Sequence, residues 1–479
     1  MNSQLKTPLF QALQDHANKQ PISFHVPGHK QGLINKPEAN AVFKQLLQID
    51  ATELSGLDDL HAPEDVILEA ETLLAELYQT EKSFFLVNGS TVGNLAMIMA
   101  ACGEDDLVLV QRNCHKSVLN ALKLAKARPV FLEPEYNQNW KAAGGIKLET
   151  VKEAINHYPN AKAIILTYPN YYGLVYDLEG IITEAHLHHI PILVDEAHGP
   201  HFIVGGPFPA SATQMGADIV VQSAHKTLPA MTMGSFLHIK SQLVNLNKVK
   251  EYLGMFQSSS PSYPIMASLD IARNYLAAYD EKDLSYLLTT ITHFKEELSK
   301  IPAINVLDFP NNQGDSLKIT IQSRCGLSGF ELQNKLEEQS IYPELADPYN
   351  VLLILPLIKA GQSYPFEAAA EKIKQALIGL PIQELKENIH HEEKKISHLA
   401  IPYKNMNRFT EKEVPIEEAL NLVCAETVIP YPPGIPLLLK GETITIDKLN
   451  QLNRLLQSGA RFQGSSSVKE GRIMIFSTT

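Results

Sequence analysis

Between about Glu81 and Ser235 the chain alternates short, near-continuous apolar runs with amphipathic stretches. Five runs have the length of buried strands: Phe84-Phe85-Leu86-Val87, Leu107-Val108-Leu109-Val110, Ala163-Ile164-Ile165-Leu166, Ile192-Leu193-Val194-Asp195 and Asp218-Ile219-Val220-Val221. Apolar strands separated by helical stretches predict a mostly parallel sheet covered on both faces. Ligands of such sheets bind beyond the carboxyl ends of the strands, so chemistry is expected just after each run. The pattern turns strongly helical from Leu269 to Tyr279, and Leu317 to Leu380 reads as a smaller α/β region. Lys386 to Lys395 is charged, as a solvated linker or helix face is. The run Pro430 to Pro436 is irregular, because proline removes a donor and fixes φ.

A length of 479 residues is too great for one simple core and predicts two or three domains. The formal net charge of -12 argues against a nucleic-acid surface and fits a small-molecule enzyme. Four cysteines lie scattered, with no C-x-x-C pair, so neither a disulfide framework nor a thiolate zinc site is indicated. The N-terminus has no apolar segment of the secretory type, and no apolar run has the length of a bilayer span. The expected location is the cytoplasm.

Three stations follow the strands. Gly89-Ser90-Thr91 opens a helix, where backbone N–H groups and two hydroxyls make an anion site or an ordinary N-cap. Asp195-Glu196-Ala197-His198-Gly199 places a carboxylate at a strand end, able to pair with a heterocyclic nitrogen, cap a helix or join His198 and His201 on a metal. Ser223-Ala224-His225-Lys226-Thr227 places a lysine just past a buried strand, where lost solvent favours the neutral, nucleophilic amine. Lys226 follows Asp195 by 31 residues (226 minus 195), room for one crossover within the same sheet. A phosphate cradle, an anion and an amine in this order are what pyridoxal phosphate needs. His115, after the second run, reaches the same sheet edge, either flat over a ring or capping a helix. The hydroxyl-rich Gln257-Ser258-Ser259-Ser260 suits a phosphate or a plain loop.

These residues, with Phe24-His25-Val26-Pro27-Gly28-His29-Lys30, Arg112 to Ser117 and Pro430 to Pro436, resemble the Orn/Lys/Arg decarboxylase family over nearly the whole chain. The likeness is nearest to the shorter Gram-positive members, which lack an N-terminal wing domain. It implies an aspartate-aminotransferase-like (fold type I) α/β domain with a mostly parallel seven-stranded sheet and smaller α/β C-terminal domains. The implied division is an N-terminal segment over 1–50, a large cofactor domain over 51–270, a small α/β domain over 271–385 and a C-terminal domain over 386–479.

The resemblance also implies roles. Lys226 carries pyridoxal phosphate as a Schiff base, Asp195 pairs with the pyridine nitrogen, and His115 stacks on the ring. Ser90, Thr91, Ser223 and His225 surround phosphate or ring, while Ala197 and His198 line the other face. Ser258 or Ser259 acts across a homodimer (or higher homo-oligomer) with shared sites. His115 and Lys226 are alternative proton donors to Cα. The substrate is lysine, arginine or ornithine, its distal cation met by Glu344, with Asp347 in reserve; the alternative for both is a solvated loop acid, and for Asp347 it is the better reading. Thr167-Tyr168-Pro169-Asn170-Tyr171-Tyr172-Gly173 departs from the Thr-Asn-Pro-Thr-Tyr of many relatives. Competing readings are another fold-type-I reaction (aminotransferase or lyase), a catalytically silent homologue and a metallohydrolase. No nucleic-acid, membrane or metal partner is expected.

Overall fold

The computed structural model describes residues 3–383, 395–430, 435–457, 459–463 and 467–477. Seven buried strands succeed one another: β1 (Lys82–Leu86), β2 (Leu107–Gln111), β3 (Arg128–Leu132), β4 (Ala163–Thr167), β5 (Ile192–Asp195), β6 (Ile219–Gln222) and β7 (Ser235–Ile239). The resemblance implies a sheet of seven strands; an eighth, Ile396–His398, adds to it beside β3. Two escape the apolar-run reading: β3 opens on Arg128-Pro129, and β7 is broken by His238. The chain divides into two compact units, one of Met1–Ala101, Pro191–Gly205 and Ala210–Asp280, the other of Cys102–Ile190, Gly206–Pro209 and Glu281–Thr479.

In the first unit β1, β7, β6 and β5 are neighbours in that order. The β5–β6 pair is parallel, while β7 runs antiparallel to both β6 and β1. The helix Gly89–Ala101 packs against this layer. A Cβ added at Gly93 would lie 2.7 Å from Val221 Cγ1, so only glycine lets the helix come this close. The helix Tyr263–Ala277 carries Arg273, which is fully buried and ion-paired to Asp270 at 2.8 Å. Arg273 also donates to the carbonyls of Gln4 and Lys6, and Asp270 accepts from Leu9 N, which seats the N-terminal residues on this unit.

In the second unit β4, β2 and β3 are neighbours and parallel. An antiparallel layer follows, β8 (Ile304–Val306), β9 (Lys318–Ser323), β10 (Leu345–Ala346) and β11 (Asn350–Ile354), in the order β8-β9-β11-β10. Further strands are β12 (Ile396–His398), antiparallel to β3, and the pair β13 (Thr410–Pro415) and β14 (Arg472–Ser477). Their C-terminal segment has its own core around Val428, Leu438, Leu452 and Ile473. The charged run from Lys386 lies outside the described residues except for Lys395, as do 431–434 of the proline-rich run. Among the described residues no helix is long and apolar enough to cross a membrane.

A polar layer runs through the core of the first unit. Ser83 Oγ is 2.7 Å from His238 Nδ1, and His238 Nε2 is 3.1 Å from Gln222 Oε1. The His238 ring stacks on Tyr78 with centroids 4.2 Å apart. Burial pushes His238 down from 6.5 to about 3, so the folded chain keeps the ring neutral where an unfolded chain protonates it. Its contribution to stability is complete above pH 6.5 and is lost as pH falls through 6.5 toward 3. Calorimetry across that window is expected to show the wild-type unfolding temperature dropping more steeply than that of His238→Phe. Parallel curves would remove His238 from the acid response.

Candidate functional site

β1 ends where the chain must turn into a helix, and Gly89 makes the turn at φ +80°, a conformation that costs glycine little. Val87 N–H is taken by Gln257 Oε1 at 2.8 Å, which fixes the strand end. One residue into the helix, Ser90 Oγ receives a hydrogen bond from Ser223 Oγ at 2.8 Å. The hydroxyl stations after β1 and after β6 are thus brought together. Thr91 is exposed beside them, and His225 Nδ1 lies 3.2 Å from the Gly234 carbonyl.

Asp195 closes β5 and is buried. Its Oδ2 accepts from Asn94 Nδ2 at 2.8 Å, and its Oδ1 from Ala197 N at 3.2 Å, so both oxygens are oriented. Beyond Ala197, His198 Nε2 stands 2.9 Å from Lys226 Nζ. An amine and an imidazole at this separation share one proton, the relation a general acid–base pair needs. His201 turns elsewhere, with Nδ1 3.2 Å from Thr227 Oγ1. The metal arrangement drawn from Asp195, His198 and His201 is not formed: the three engage different partners, and no cluster of metal-ligating residues occurs among the described residues.

Ser258 and Ser259 are exposed, at the end of the helix Leu246–Phe256. The Ser258 carbonyl is held by His61 Nε2 at 2.8 Å. In the N-terminal motif, His25 Nδ1 lies 3.0 Å from Thr52 Oγ1 and His29 Nε2 3.0 Å from Asp50, while Phe24 is 95% exposed.

The second unit holds the remaining expected residues. His115 caps the helix Lys116–Ala125, its Nδ1 accepting from Ser117 N at 3.3 Å and lying 2.8 Å from Ser117 Oγ. The capping alternative is therefore what this nitrogen does. Arg112 donates to the carbonyls of Pro436 (2.9 Å) and Leu437 (3.0 Å) and to Glu442 (3.0 Å), tying the end of β2 to the C-terminal segment. A cavity of about 570 Å³ opens there, lined among others by Arg112, Asn113, Glu133, Tyr349 and Lys448.

Glu344 is exposed at the entry to β10. Asp347 accepts from Tyr172 Oη, from Asn350 Nδ2 at 2.9 Å and from the backbone of Tyr349 and Asn350, both at 2.7 Å. Desolvation pushes its carboxyl up to about 6. Its lone pairs serve the loop it sits in. In the departing segment, Asn170 receives Leu174 N at 2.8 Å and donates to Ala143 O at 2.8 Å, so it shapes its own turn.

Two neighbours of these residues were given no role from the sequence. Asn94 lies four residues after Ser90, hence on the same helix face, a spacing that could have found it. Glu196 sits beside Asp195 with its carboxylate pushed up to about 7 by burial, and only its folded partners reveal it.

The Orn/Lys/Arg decarboxylase major-domain model matches residues 7–319, and the C-terminal-domain model of the same family matches 382–466. An uncharacterized protein of Bacillus subtilis, YaaO, is 47% identical over 477 residues, covering 98% of this chain and 99% of its own. Arginine decarboxylase of the same organism is 34% identical over 476 residues, covering 96% of each. Among solved structures, Francisella novicida lysine decarboxylase superposes with a TM-score of 0.81 at 22% identity, over 99% of this chain and 81% of that one. Serine palmitoyltransferase of Sphingomonas wittichii, a more distant likeness of fold, gives 0.54 at 17% identity over 72% of this chain and 85% of that one. With the family matched across both of its domains and a curated member at 34% identity over 96% of its length, the chain belongs to the Orn/Lys/Arg decarboxylases.

Proposed function

We propose that this protein removes the α-carboxylate of lysine, arginine or ornithine with pyridoxal phosphate bound at Lys226. The observation that carries the reading is the first unit's own residue set. It joins a buried, doubly held carboxylate (Asp195), an amine 2.9 Å from an imidazole (Lys226 and His198) and a hydroxyl pair at a helix start (Ser90 and Ser223). The donor chemistry fits the cofactor: hydroxyls and helix N–H groups for phosphate, an anion for a pyridinium, and an amine for an aldehyde. Curated relatives named arginine decarboxylase and lysine decarboxylase support a basic substrate.

When bound, the cofactor supplies an electron sink for the pair left on Cα as CO₂ departs. The chain does the rest. Asp195, held by Asn94 and Ala197 N, keeps a proton on the heterocyclic nitrogen. His198 exchanges a proton with Lys226 Nζ, which readies the amine to bind and to leave. Ser90, Thr91, Ser223 and His225 hold the phosphate side. Lys226 or His115 returns one proton to Cα, which balances the loss of CO₂. Glu344 receives the distal cation of the substrate.

A homodimer with shared sites follows from the same reading, with Ser258 or Ser259 reaching a partner's phosphate. Exposed Ile22 (88%), Phe24 (95%) and Leu33 (79%) support it, because apolar groups gathered this way on one segment are usual where a partner covers them. The cytoplasm is the proposed location.

Purified wild type is expected to show visible cofactor absorption and to release CO₂ from one of the three amino acids. Lys226→Ala is expected to lose the Lys226-dependent band and at least about 100-fold of the release. A band without release would move the reaction to another type on the same cofactor. No band after adding pyridoxal phosphate would sink the reading.

Glu344→Gln is expected to raise KM for the preferred substrate about tenfold, the worth of one charge-assisted contact, with kcat changed little. Unchanged steady-state kinetics would remove Glu344 from substrate recognition.

A further inference from the structure

β5 runs out into two successive acids, and the pleat separates them. Asp195 lies level with Val221 of β6 and meets Asn94 of the helix packed on that face. The ladder continues one residue further, with Glu196 N donating to Val221 O at 2.9 Å, and the Glu196 carboxylate emerges on the opposite face. There it accepts three hydrogen bonds: from Ala212 N at 2.7 Å and Ser211 Oγ at 2.7 Å, and from Gln222 Nε2 at 2.6 Å. Glu196, Ser211 and Gln222 are all fully buried.

The proton inventory of this layer runs in one direction. When ionised Glu196 only accepts, so the Gln222 amide turns its nitrogen toward Glu196 and its oxygen toward His238. His238 then carries its proton on Nε2, and its Nδ1 accepts from Ser83 Oγ. The chain Glu196–Gln222–His238–Ser83 thus crosses β6, β7 and β1 with each group's role set by the one before it.

We propose that Glu196 is a positioning residue that, with Gln222 and His238, holds Asp195 and Ser223 at the cofactor face from behind the strands. Two members of the brace adjoin a residue of the site: Glu196 follows Asp195, and Gln222 precedes Ser223. One backbone unit joins each pair, so a displacement behind the strands moves the groups in front. An apolar side chain would occupy this place at lower cost, since burial pushes the Glu196 carboxyl up to about 7 even against the three hydrogen bonds that lower it. What the carboxylate adds is orientation, through three donors from two segments, Ser211-Ala212 and the end of β6. The inference rests on the pyridoxal phosphate reading above and names a residue for it.

The test uses apo protein titrated with pyridoxal phosphate. Glu196→Gln keeps the shape but sets a donor among three donors, and Gln222→Leu cuts the link to His238. Both are expected to raise the cofactor dissociation constant at least about tenfold, the worth of a hydrogen bond to a charged group. Both are also expected to move the pH midpoint of the visible band by about half a unit or more. Far-UV circular dichroism of the apo variants is expected to match wild type. Ser211→Ala, which removes one donor, is expected to act in the same direction with smaller size and serves if the other two fail to fold. Folded variants with wild-type affinity and midpoint would make Glu196 a packing residue and overturn the proposal. A wild type that forms no visible band would instead overturn the cofactor reading, and the brace with it.

Discussion

A pleated strand cannot send two neighbouring side chains to one face, and the rest of the site depends on how the end of β5 uses that constraint. Asp195 and Glu196 are adjacent in the chain yet enter different surroundings: one meets an amide from a helix, the other a core of hydroxyls and amides. Two carboxylates on the same face would repel each other and share donors poorly. Placed back to back, each gathers its own. The acid on the site side is oriented by Asn94 and Ala197, and the acid behind it by Ala212, Ser211 and Gln222.

Close packing turns that arrangement into a site. Gly93 allows the helix Gly89–Ala101 to lie against Val221. The same helix then offers Ser90 to Ser223 and Asn94 to Asp195, four residues apart on one face. A side chain at position 93 would lift both contacts together. The hydroxyl pair and the oriented carboxylate are therefore one packing solution, and Lys226, three residues past Ser223, comes with it.

The second unit shows the other use of buried charge. Glu442 stands between Arg112 and Lys448, at 3.0 and 2.5 Å. Burial raises its carboxyl, but the two cations outweigh burial and hold it below the usual range. Removing Glu442 would leave two buried cations facing each other, whereas the intact cluster fastens β2 to residues 435–448. His115 follows three residues after Arg112, so the same anchor sets where its ring begins.

Local pattern was enough for much of this protein. Apolar runs located five of the seven strands within a residue or two, and Gly89, Asp195 and Lys226 were legible because each stands at the end of such a run or within a few residues beyond it. β3 and β7 were not, since Arg128-Pro129, with Arg128 exposed at the strand start, and the buried His238 break the apolar signal. Residues whose meaning depends on a distant partner were equally illegible. Asp347 reads as a loop acid until Tyr172 is found beside it, and Glu196 reads as the less important half of a pair until Ser211 and Gln222 close on it. The succession of strands along the chain and the residue types at their ends were readable locally, because period and turn residues are local. Which groups meet across the sheet, Lys226 with His198 and Glu196 with Ser211 and Gln222, emerged only on folding, because hydrogen bonds form between atoms brought within about 3 Å, whatever their separation along the chain.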